Sequence, residues 1–379
     1  MSVSAQLGTS AYTNSFKKIS GPVVERDGLI QVPEQDVSKI KYIEYLPTWT
    51  KEEKYIPLKF FKHVDPGSRA DPEFGLLFPK SGSSIRKPIT PKFGTTVENV
   101  QLSQLDAKGK DELALLVAQR GVVVFKNQDL AEKGPRFAVE YGKHFGPLHI
   151  HPTSGAPPNA PELHTVYRTP KVENLFEHSV NLLGWHSDVT YEMQPAGTTF
   201  FSVIQGPEAG GDTLFANTAE AYERLSPAWQ EFLGGLSAVH SAIQQASASK
   251  NEIGIVKRDA VENIHPIIRT HPVTGKKSIF VNSGFTRSIV GLKSEESATI
   301  LNFLFDLIGN SHDLQLRVKW EPNTVVIWDN RVTNHTAIFD WDSSEPRLAF
   351  RITPQAERPV NNLVDLNKED TNKVYKGQL

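Results

Sequence analysis

The sequence predicts a mainly β domain with flanking helices, and an antiparallel jelly roll is the arrangement that fits it best. Apolar runs of strand length recur from residue 184 to residue 352. Helical patterns precede and interrupt these runs but never alternate with them regularly. Regular alternation is expected of a parallel sheet built from βαβ units, so the irregular order favours antiparallel strands decorated by helices.

The composition is that of a globular protein. Of the 379 residues, 39% are hydrophobic and 22% are charged, which is ordinary for a globular chain. The formal net charge of -2 gives no reason to expect nucleic acid or a membrane surface as a partner. The absence of cysteine excludes disulfides, thiolate metal sites and a cysteine nucleophile. No apolar run is long enough for a signal peptide or a membrane span, so we expect a cytoplasmic protein.

Differences in composition and periodicity divide the chain into four segments. Residues 1–40 are polar and aperiodic, and they are predicted to be flexible. Residues 41–88 mix aromatic residues with proline and glycine and are too short for a core of their own, so we expect an irregular arm packed on the core. The main domain is predicted to span residues 89–359, and residues 360–379 form a polar tail.

The first elements of the main domain are two helices and a buried strand. Residues 106–119 carry leucines at helical spacing, and Gly121 follows them as a helix end. Val122–Phe125 is an uninterrupted apolar run, which is typical of a buried strand. A second helix is predicted over residues 135–144. Residues 152–183 are rich in proline, asparagine and glycine and are predicted to form a long loop, which inside a domain is usually functional.

From residue 184 onward the pattern is that of strands. Residues 184–191 are predicted to be extended, and residues 198–204 form a strong strand candidate. The glycine-rich residues 206–212 are predicted to form a tight β turn that presents Thr213. Residues 242–263 are polar and are predicted to form a surface lid or loop.

The remaining elements follow from caps and apolar periodicity. They are helices that open at Asn217 and Ser226, a strand at 278–281, a helix at 294–308, and strands at 324–328 and 347–352.

His186 and Asp188 are the first candidates for a metal site. In an extended segment, side chains two positions apart point to the same face, and an imidazole with a carboxylate suits a divalent transition metal. The pattern alone is weak, because His63 and Asp65 repeat it within the predicted arm, where we expect a chance match without partners. His335 follows a predicted buried strand and offers a third ligand. Two imidazoles and one carboxylate leave three positions open, as in non-haem Fe(II) oxygenases.

Each metal candidate also has an ordinary interpretation. Either histidine can be a hydrogen-bonded structural residue, and Asp188 can be a turn or cap residue. A hydrolytic zinc enzyme is chemically possible with two histidines and an aspartate, although no obvious glutamate base lies near them in the sequence. A cupin-like binding protein without catalysis is a further alternative.

Arg347 and Arg351 lie four positions apart in an apolar run and therefore face the same way. An inward guanidinium is costly unless an anion meets it. The carboxylate of a keto-acid cosubstrate would be such an anion, and a sulfonate would be another. The alternative is that these arginines reach solvent or pair with Glu345 or Glu357. Thr213, taken alone, is more often a plain strand residue.

Several sequence blocks occur together and in a consistent order. They are His149-Ile150-His151-Pro152, Trp185-His186-Ser187-Asp188-Val189-Thr190, Gly210-Gly211-Asp212-Thr213-Leu214-Phe215, His271-Pro272-Val273-Thr274-Gly275-Lys276, Phe280-Val281-Asn282-Ser283-Gly284-Phe285-Thr286-Arg287 and Trp328-Asp329-Asn330-Arg331-Val332-Thr333-Asn334-His335. With these blocks the chain resembles the taurine/2-oxoglutarate dioxygenase family from about residue 89 to residue 357. It is especially similar to the fungal and yeast branch of 2-oxoglutarate-dependent sulfonate dioxygenases, and the arm before residue 88 resembles the extension of that branch.

The resemblance implies a double-stranded β-helix that uses Fe(II), 2-oxoglutarate and O2. The implied metal ligands are His186, Asp188 and His335. The residues implied for 2-oxoglutarate are Thr213 and Arg347 at its distal carboxylate, with Trp328 packed nearby.

The resemblance also implies a small anionic substrate, most simply an organosulfonate. The implied substrate contacts are His151, Arg351, the backbone amide of Val189 and the ring of Phe285. Hydroxylation of the carbon next to sulfur would release sulfite and an aldehyde, with succinate and CO2 formed from 2-oxoglutarate. Members of the family are usually homo-oligomers.

One position departs from the taurine enzymes. Leu182, with Asn181 beside it, stands where those enzymes carry an asparagine that contacts the substrate amine. This change favours an alkyl or aryl sulfonate other than taurine, or a broader specificity. Sulfate esters, aryloxy acids, purines and secondary-metabolite intermediates are alternative substrates for the same chemistry. Residues 152–183 and 242–263 would contribute to the choice.

Overall fold

The computed structural model describes residues 23–168, 183–252, 255–341 and 345–368. Its strands, in chain order, are β1 Val24–Arg26, β2 Leu29–Gln31, β3 Thr48–Thr50, β4 Ile85–Pro88, β5 Thr95–Glu98, β6 Val122–Phe125, β7 Leu163–Arg168, β8 Thr198–Gln205, β9 Thr213–Asn217, β10 Ser237–Ser241, β11 Glu262–Pro266, β12 Ile268–Thr270, β13 Lys277–Ile279, β14 Thr286–Ile289, β15 Gln315–Val318, β16 Thr324–Asp329, β17 Thr333–Ala337 and β18 Arg347–Ile352. Its helices are α1 Glu34–Val37, α2 Ala107–Arg120, α3 Pro135–Gly142, α4 Thr218–Glu223, α5 Pro227–Gly234, α6 Ile243–Glu252 and α7 Ser294–Asn310. None of these helices combines the length and apolar character that a membrane span requires.

The largest sheet has seven strands in the order β4-β5-β6-β16-β8-β18-β7. Its neighbouring strands are antiparallel, except that β5 and β6 run parallel. A smaller antiparallel sheet has the order β15-β9-β17. The predominance of antiparallel pairing agrees with the prediction made from the order of helices and strands.

Alternation along β6 places its side chains in two separate cores. Val124 packs in a cluster with Phe215 of the smaller sheet, whereas its neighbour Val123 packs in a cluster with Leu116 of α2. Because both faces of the strand are covered, every residue of Val122–Phe125 is buried. Burying each of these side chains stabilises the fold by about 1.5–3 kcal/mol.

The arm at 41–88 contributes side chains to the main core. Tyr45 has 0% exposure and its ring stacks on that of Phe350, with centroids 5.0 Å apart. Leu77 belongs to the same apolar cluster. The predicted flexible segment 1–40 is described only from residue 23, and there β1 and β2 form a small antiparallel sheet with β3.

Two stretches predicted as loops contain regular elements, so those predictions are wrong in part. Strand β7 lies inside residues 152–183, and helix α6 lies inside residues 242–263. The polar composition of both stretches hid them, because neither carries the apolar run on which the prediction of a buried element depends.

Residues 206–212 cross between the two sheets and do not form the predicted tight β turn. Strand β8, before them, belongs to the large sheet, and β9, after them, belongs to the small one. Gly210 lies at φ +86°, and a Cβ there would come within 2.9 Å of the Trp341 Cα. This crossing therefore needs glycine, and it delivers Thr213 to the space between the sheets.

Candidate active site

A single β bridge brings the two histidines of the predicted metal site together. His186 and His335 exchange backbone hydrogen bonds of 2.9 and 2.7 Å, and their rings lie 4.2 Å apart. The extended prediction for residues 184–191 is wrong beyond this bridge, because residues 188–190 form a turn. That turn brings Asp188 back, so that its Oδ1 lies 4.0 Å from His186 Nε2 and 3.9 Å from His335 Nε2.

The three side chains are in the protonation states that a divalent metal requires. Burial lowers the pKa of both imidazoles, so they are neutral. His186 Nδ1 donates to the Gly184 carbonyl at 2.8 Å, which leaves the lone pair on Nε2. Burial raises the pKa of Asp188, but the charge of Arg351, with the hydrogen bond from Thr199, outweighs it and lowers the pKa to about 2. One ligand atom from each residue lies within 4.8 Å of the others, which fits a transition metal bound by two imidazoles and a carboxylate.

Asp188 is held by neighbours that the sequence prediction did not include. Thr199 Oγ1 donates to its Oδ2 at 2.7 Å, and its backbone N–H donates to Asn330 Oδ1 at 3.0 Å. Asn330 also donates to Thr199 Oγ1 at 2.9 Å and accepts from Trp328 Nε1 at 3.0 Å. These bonds fix the carboxylate and orient it toward the two histidines.

Val189, the next residue, has φ +48°, a region that β-branched residues rarely adopt. Its side chain packs with Tyr191 and Phe285 in a small buried cluster. Among the described residues its backbone N–H has no acceptor. The residue lines the cavity beside Asp188.

A cavity of about 240 Å³ brings together the residues named in the sequence prediction. Its walls include His186, Asp188, His335, Thr213, Arg347, Trp328, His151, Val189, Phe285 and Arg351. Residues that are up to 200 positions apart in the chain therefore share one cavity.

Thr213, Arg347 and Trp328 are among the residues that line the cavity. Arg347 is buried, and burial lowers the pKa of its guanidinium to about 10. Its Nη2 lies 3.4 Å from the Gly211 carbonyl oxygen, and no carboxylate of the described residues forms an ion pair with it. Trp328 packs against His335 with ring centroids 4.8 Å apart. A buried cation in this position fits the carboxylate of a keto acid.

Arg351 and Phe285 contact the histidine–aspartate group, and His151 lines the same cavity. Arg351 donates from Nη1 to Asp188 Oδ1. The Phe285 ring meets that of His186 edge to face, with centroids 6.0 Å apart. Glu357, offered above as an alternative partner of these arginines, instead pairs with Arg269 at 2.7 Å.

The sequence-based prediction of the site did not include two residues of the cavity wall, His164 and Arg168. Both lie on β7, opposite Arg351 and Arg347 of β18. The available signal was the run Leu163–Arg168, whose threonine, valine and tyrosine are residue types that favour a strand. The surrounding prolines and asparagines obscured it.

The second His-x-Asp pattern has partners after all, contrary to the prediction. Asp65 is buried, accepts from the Gly67 N–H at 2.7 Å and forms an ion pair with Arg331. Arg331 also pairs with Asp329 at 2.7 Å and with Glu357 at 3.4 Å. This buried ionic cluster ties the arm to the turn between β16 and β17, which carries Asn330 and leads to His335.

The position of Leu182 and Asn181 falls outside the described residues. The change from the taurine enzymes at that position stays a prediction.

Comparisons with known proteins agree with this geometry. The family described as "Taurine catabolism dioxygenase TauD, TfdA family" matches residues 86–353. An alpha-ketoglutarate-dependent sulfonate dioxygenase of Saccharomyces cerevisiae is 53% identical over 352 residues, which cover 92% of this chain and 85% of the relative. A putative alpha-ketoglutarate-dependent sulfonate dioxygenase of Schizosaccharomyces pombe is 39% identical, over 84% of this chain and 81% of its own.

Solved structures give the same result for the fold. A putative alpha-ketoglutarate-dependent taurine dioxygenase from Burkholderia xenovorans superposes with a TM-score of 0.61 at 28% identity, over 73% of this chain and 94% of that one. The predicted jelly roll is thereby confirmed, and so is the predicted use of Fe(II), 2-oxoglutarate and O2. The chain belongs to the TauD/TfdA family of dioxygenases.

Proposed function

We propose that this protein is an Fe(II)- and 2-oxoglutarate-dependent dioxygenase that hydroxylates the sulfur-bearing carbon of an organosulfonate. The observation that carries the proposal is the pairing of two features in one cavity. The His186, Asp188 and His335 group faces the same space as Arg347 and Arg351, two cations on one strand. An oxygenase that uses two anionic molecules needs a metal site with open positions and two separate cations.

The proposed reaction balances with O2 and 2-oxoglutarate as co-reactants. One oxygen atom enters succinate as 2-oxoglutarate loses CO2. The other replaces a C–H bond of the substrate with C–OH on the carbon that bears sulfur. The C–S bond of this α-hydroxysulfonate then breaks, its electron pair leaves with sulfite, and the hydroxyl proton is lost as the aldehyde forms.

The residues present fit the metal. Two neutral imidazoles and an ionised carboxylate are the donor set of non-haem iron oxygenases, and they leave three positions for other ligands. Bound Fe(II) supplies the activation of O2 coupled to decarboxylation of 2-oxoglutarate. Thr199 and Asn330 hold the carboxylate of Asp188 in place.

The two anions are assigned to the two arginines. Arg347 and Thr213, which line the same cavity, are proposed to bind the distal carboxylate of 2-oxoglutarate, because Arg347 is buried without a carboxylate partner among the described residues. Arg351, His151 and the Val189 N–H are proposed to hold the sulfonate. The Phe285 ring would then exclude water from the carbon chain of the substrate.

Two observations favour an organosulfonate as substrate. The donors of Arg351, His151 and the Val189 N–H suit an anionic head group, and two of the fungal relatives are named as sulfonate dioxygenases. An alkyl or aryl sulfonate is proposed over taurine, because the sequence has the apolar Leu182 where the taurine enzymes carry an asparagine that contacts the amine. A homo-oligomeric state and a cytoplasmic location stay predictions.

A panel of taurine, butanesulfonate, hexanesulfonate and benzenesulfonate tests the proposal, with succinate and sulfite measured together. The wild type is expected to form both products from at least one sulfonate other than taurine. His186→Ala is expected to lose substrate-dependent succinate formation, while His312→Ala, an exposed histidine, is expected to retain it. Succinate formation that survives in His186→Ala would show that the metal assignment is wrong.

A further inference from the structure

Strand β7 adds a second row of polar side chains to the cavity. In the register of the sheet, His164 lies opposite Arg351, and Arg168 lies opposite Arg347. All four residues line the cavity. Each arginine of β18 therefore has a polar neighbour on β7, and His164 is the one beside the proposed sulfonate site.

The hydrogen bonds of His164 determine which nitrogen carries its proton. Arg351 Nη2 lies 2.6 Å from His164 Nδ1. A guanidinium can only donate, so Nδ1 accepts and the proton of the neutral ring is on Nε2. Burial and the charge of Arg351 hold the pKa of His164 well below its usual range, which keeps the ring neutral. The Nε2–H group is then a hydrogen-bond donor that has no acceptor among the described residues.

His151 has the same arrangement. Its Nδ1 accepts from the Ser154 N–H at 3.1 Å and from the Thr153 N–H at 3.3 Å. Its proton is therefore also on Nε2, and this atom also has no acceptor among the described residues. The rings of His151 and His164 lie 4.5 Å apart. Two adjacent neutral imidazoles thus carry N–H donors at the wall of one cavity.

We propose that His164 donates a hydrogen bond from Nε2 to the –SO3⁻ head of the substrate and helps to select it. Together with His151, Arg351 and the Val189 N–H, it would provide donors for three oxygens, one oxygen more than a carboxylate has. This inference rests on the proposed function, because it names a further residue of the same anion site. Sulfonates and sulfate esters share this head group, so both belong in the test.

A competing role for His164 is to orient Arg351 through Nδ1 alone. Two substitutions separate the roles. Asparagine places a polar atom near the position of Nδ1 but does not reach that of Nε2, whereas the side-chain amide of glutamine reaches the position of Nε2. If His164 is a donor, His164→Gln retains the function and His164→Asn loses it. If it only orients Arg351, the order is reversed.

The experiment measures binding by calorimetry without oxygen, on enzyme loaded with Fe(II) and 2-oxoglutarate. The probes are the panel sulfonate that yields most sulfite, hexyl sulfate, and heptanoate as a carboxylate. In His164→Leu and His164→Asn the Kd for the sulfonate and for hexyl sulfate is expected to rise about 10- to 100-fold. His164→Gln is expected to stay near the wild-type value, and so is the exposed control His312→Leu. Heptanoate binding and the Kd of 2-oxoglutarate are expected to be unchanged in every variant.

Unchanged binding of the sulfonate and of hexyl sulfate to His164→Leu would overturn the inference. Retention of affinity by His164→Asn but not by His164→Gln would also overturn it, in favour of orientation of Arg351. A wild type that forms no sulfite from any sulfonate would instead overturn the proposed function. The hexyl sulfate series would still test His164 in that case.

Discussion

At the scale of single residues, Val189 shows how the site stores strain. Its φ of +48° is a conformation that costs a non-glycine residue about 1–3 kcal/mol. The apolar contacts of its side chain with Tyr191 and Phe285 hold it there. The sharp turn keeps both the carboxylate of Asp188 and the backbone of Val189 at the cavity wall, so one turn serves both the proposed metal and the proposed substrate.

Substitution of Thr199 tests whether the residues that hold Asp188 affect the affinity of the proposed metal site. Thr199→Val removes the hydroxyl that donates to Asp188 Oδ2 at 2.7 Å and changes the side-chain volume little. Affinity for Fe(II) is expected to fall about 10- to 100-fold, the usual effect of losing such a contact. Metal titration checks it, with the exposed Thr299→Val as control. Equal affinity in both variants would refute the role assigned to Thr199.

Substitution of Arg347 tests whether Arg347 binds 2-oxoglutarate and Arg351 binds the sulfonate, as proposed. Arg347→Lys keeps the charge but removes the planar pair of donors that a carboxylate uses. The KM for 2-oxoglutarate is expected to rise about 10- to 100-fold, as for the loss of a hydrogen bond to a charged group, while the sulfonate Kd is retained. Steady-state kinetics and calorimetry measure the two values. A rise in the sulfonate Kd alone would show that the two roles are exchanged.

At the scale of elements, the arm is fastened to the site by the ion pair of Asp65 with Arg331. Asp65→Asn keeps the acceptor for the Gly67 N–H but leaves Arg331 short of one negative charge. The free energy of unfolding is expected to fall by about 1–3 kcal/mol. Chemical denaturation measures this loss. The exposed Asp71→Asn of the same arm serves as control, and an equal effect of both variants would exclude the ion pair as the cause.

Elements whose apolar pattern is continuous could be predicted from the sequence. Strand β18 has the predicted bounds Arg347–Ile352, and α2 differs from the prediction by one residue at each end. In both elements, burial of apolar side chains sets the periodicity of the sequence, so the apolar pattern predicts the type and the bounds of the element. The even spacing of Arg347 and Arg351 placed both on the cavity side for the same reason.

Elements whose stability depends on tertiary contacts could not be predicted. Strand β7 lies at the edge of the large sheet and pairs with β18, and its side chains His164 and Arg168 gave no apolar signal. The bridge of His186 to His335 joins residues far apart in the chain, and no local pattern indicates it. The same holds for Asp65 and Thr199, whose partners come from distant segments.

At the scale of the whole molecule, the buried ionic cluster predicts how stability depends on pH. Burial raises the pKa of Glu357, but Arg331 and Arg269 outweigh it and lower the pKa to about 2. In the unfolded chain a glutamate has a pKa of about 4.3. The pKa is lower in the folded state, so Glu357 contributes stability above pH ~4.3 that is lost as the pH falls toward ~2.

Removal of this charge is expected to make the pH dependence shallower. Between pH ~4.3 and ~2 the free energy of unfolding of Glu357→Gln should change by up to about 1.4 kcal/mol less per pH unit than that of the wild type. Urea denaturation of the metal-free proteins over this range measures the two slopes. Parallel slopes would mean that Glu357 does not supply the acid sensitivity.

We propose that consumption of 2-oxoglutarate is coupled to cleavage of a C–S bond in this cavity. The stoichiometry of sulfite to succinate, measured with the best panel sulfonate under air, tests it most directly. The proposed reaction predicts a ratio near one, with both products lost when Fe(II), 2-oxoglutarate or O2 is withheld. Succinate formed without sulfite from every sulfonate, or sulfite formed without 2-oxoglutarate, would contradict the claim.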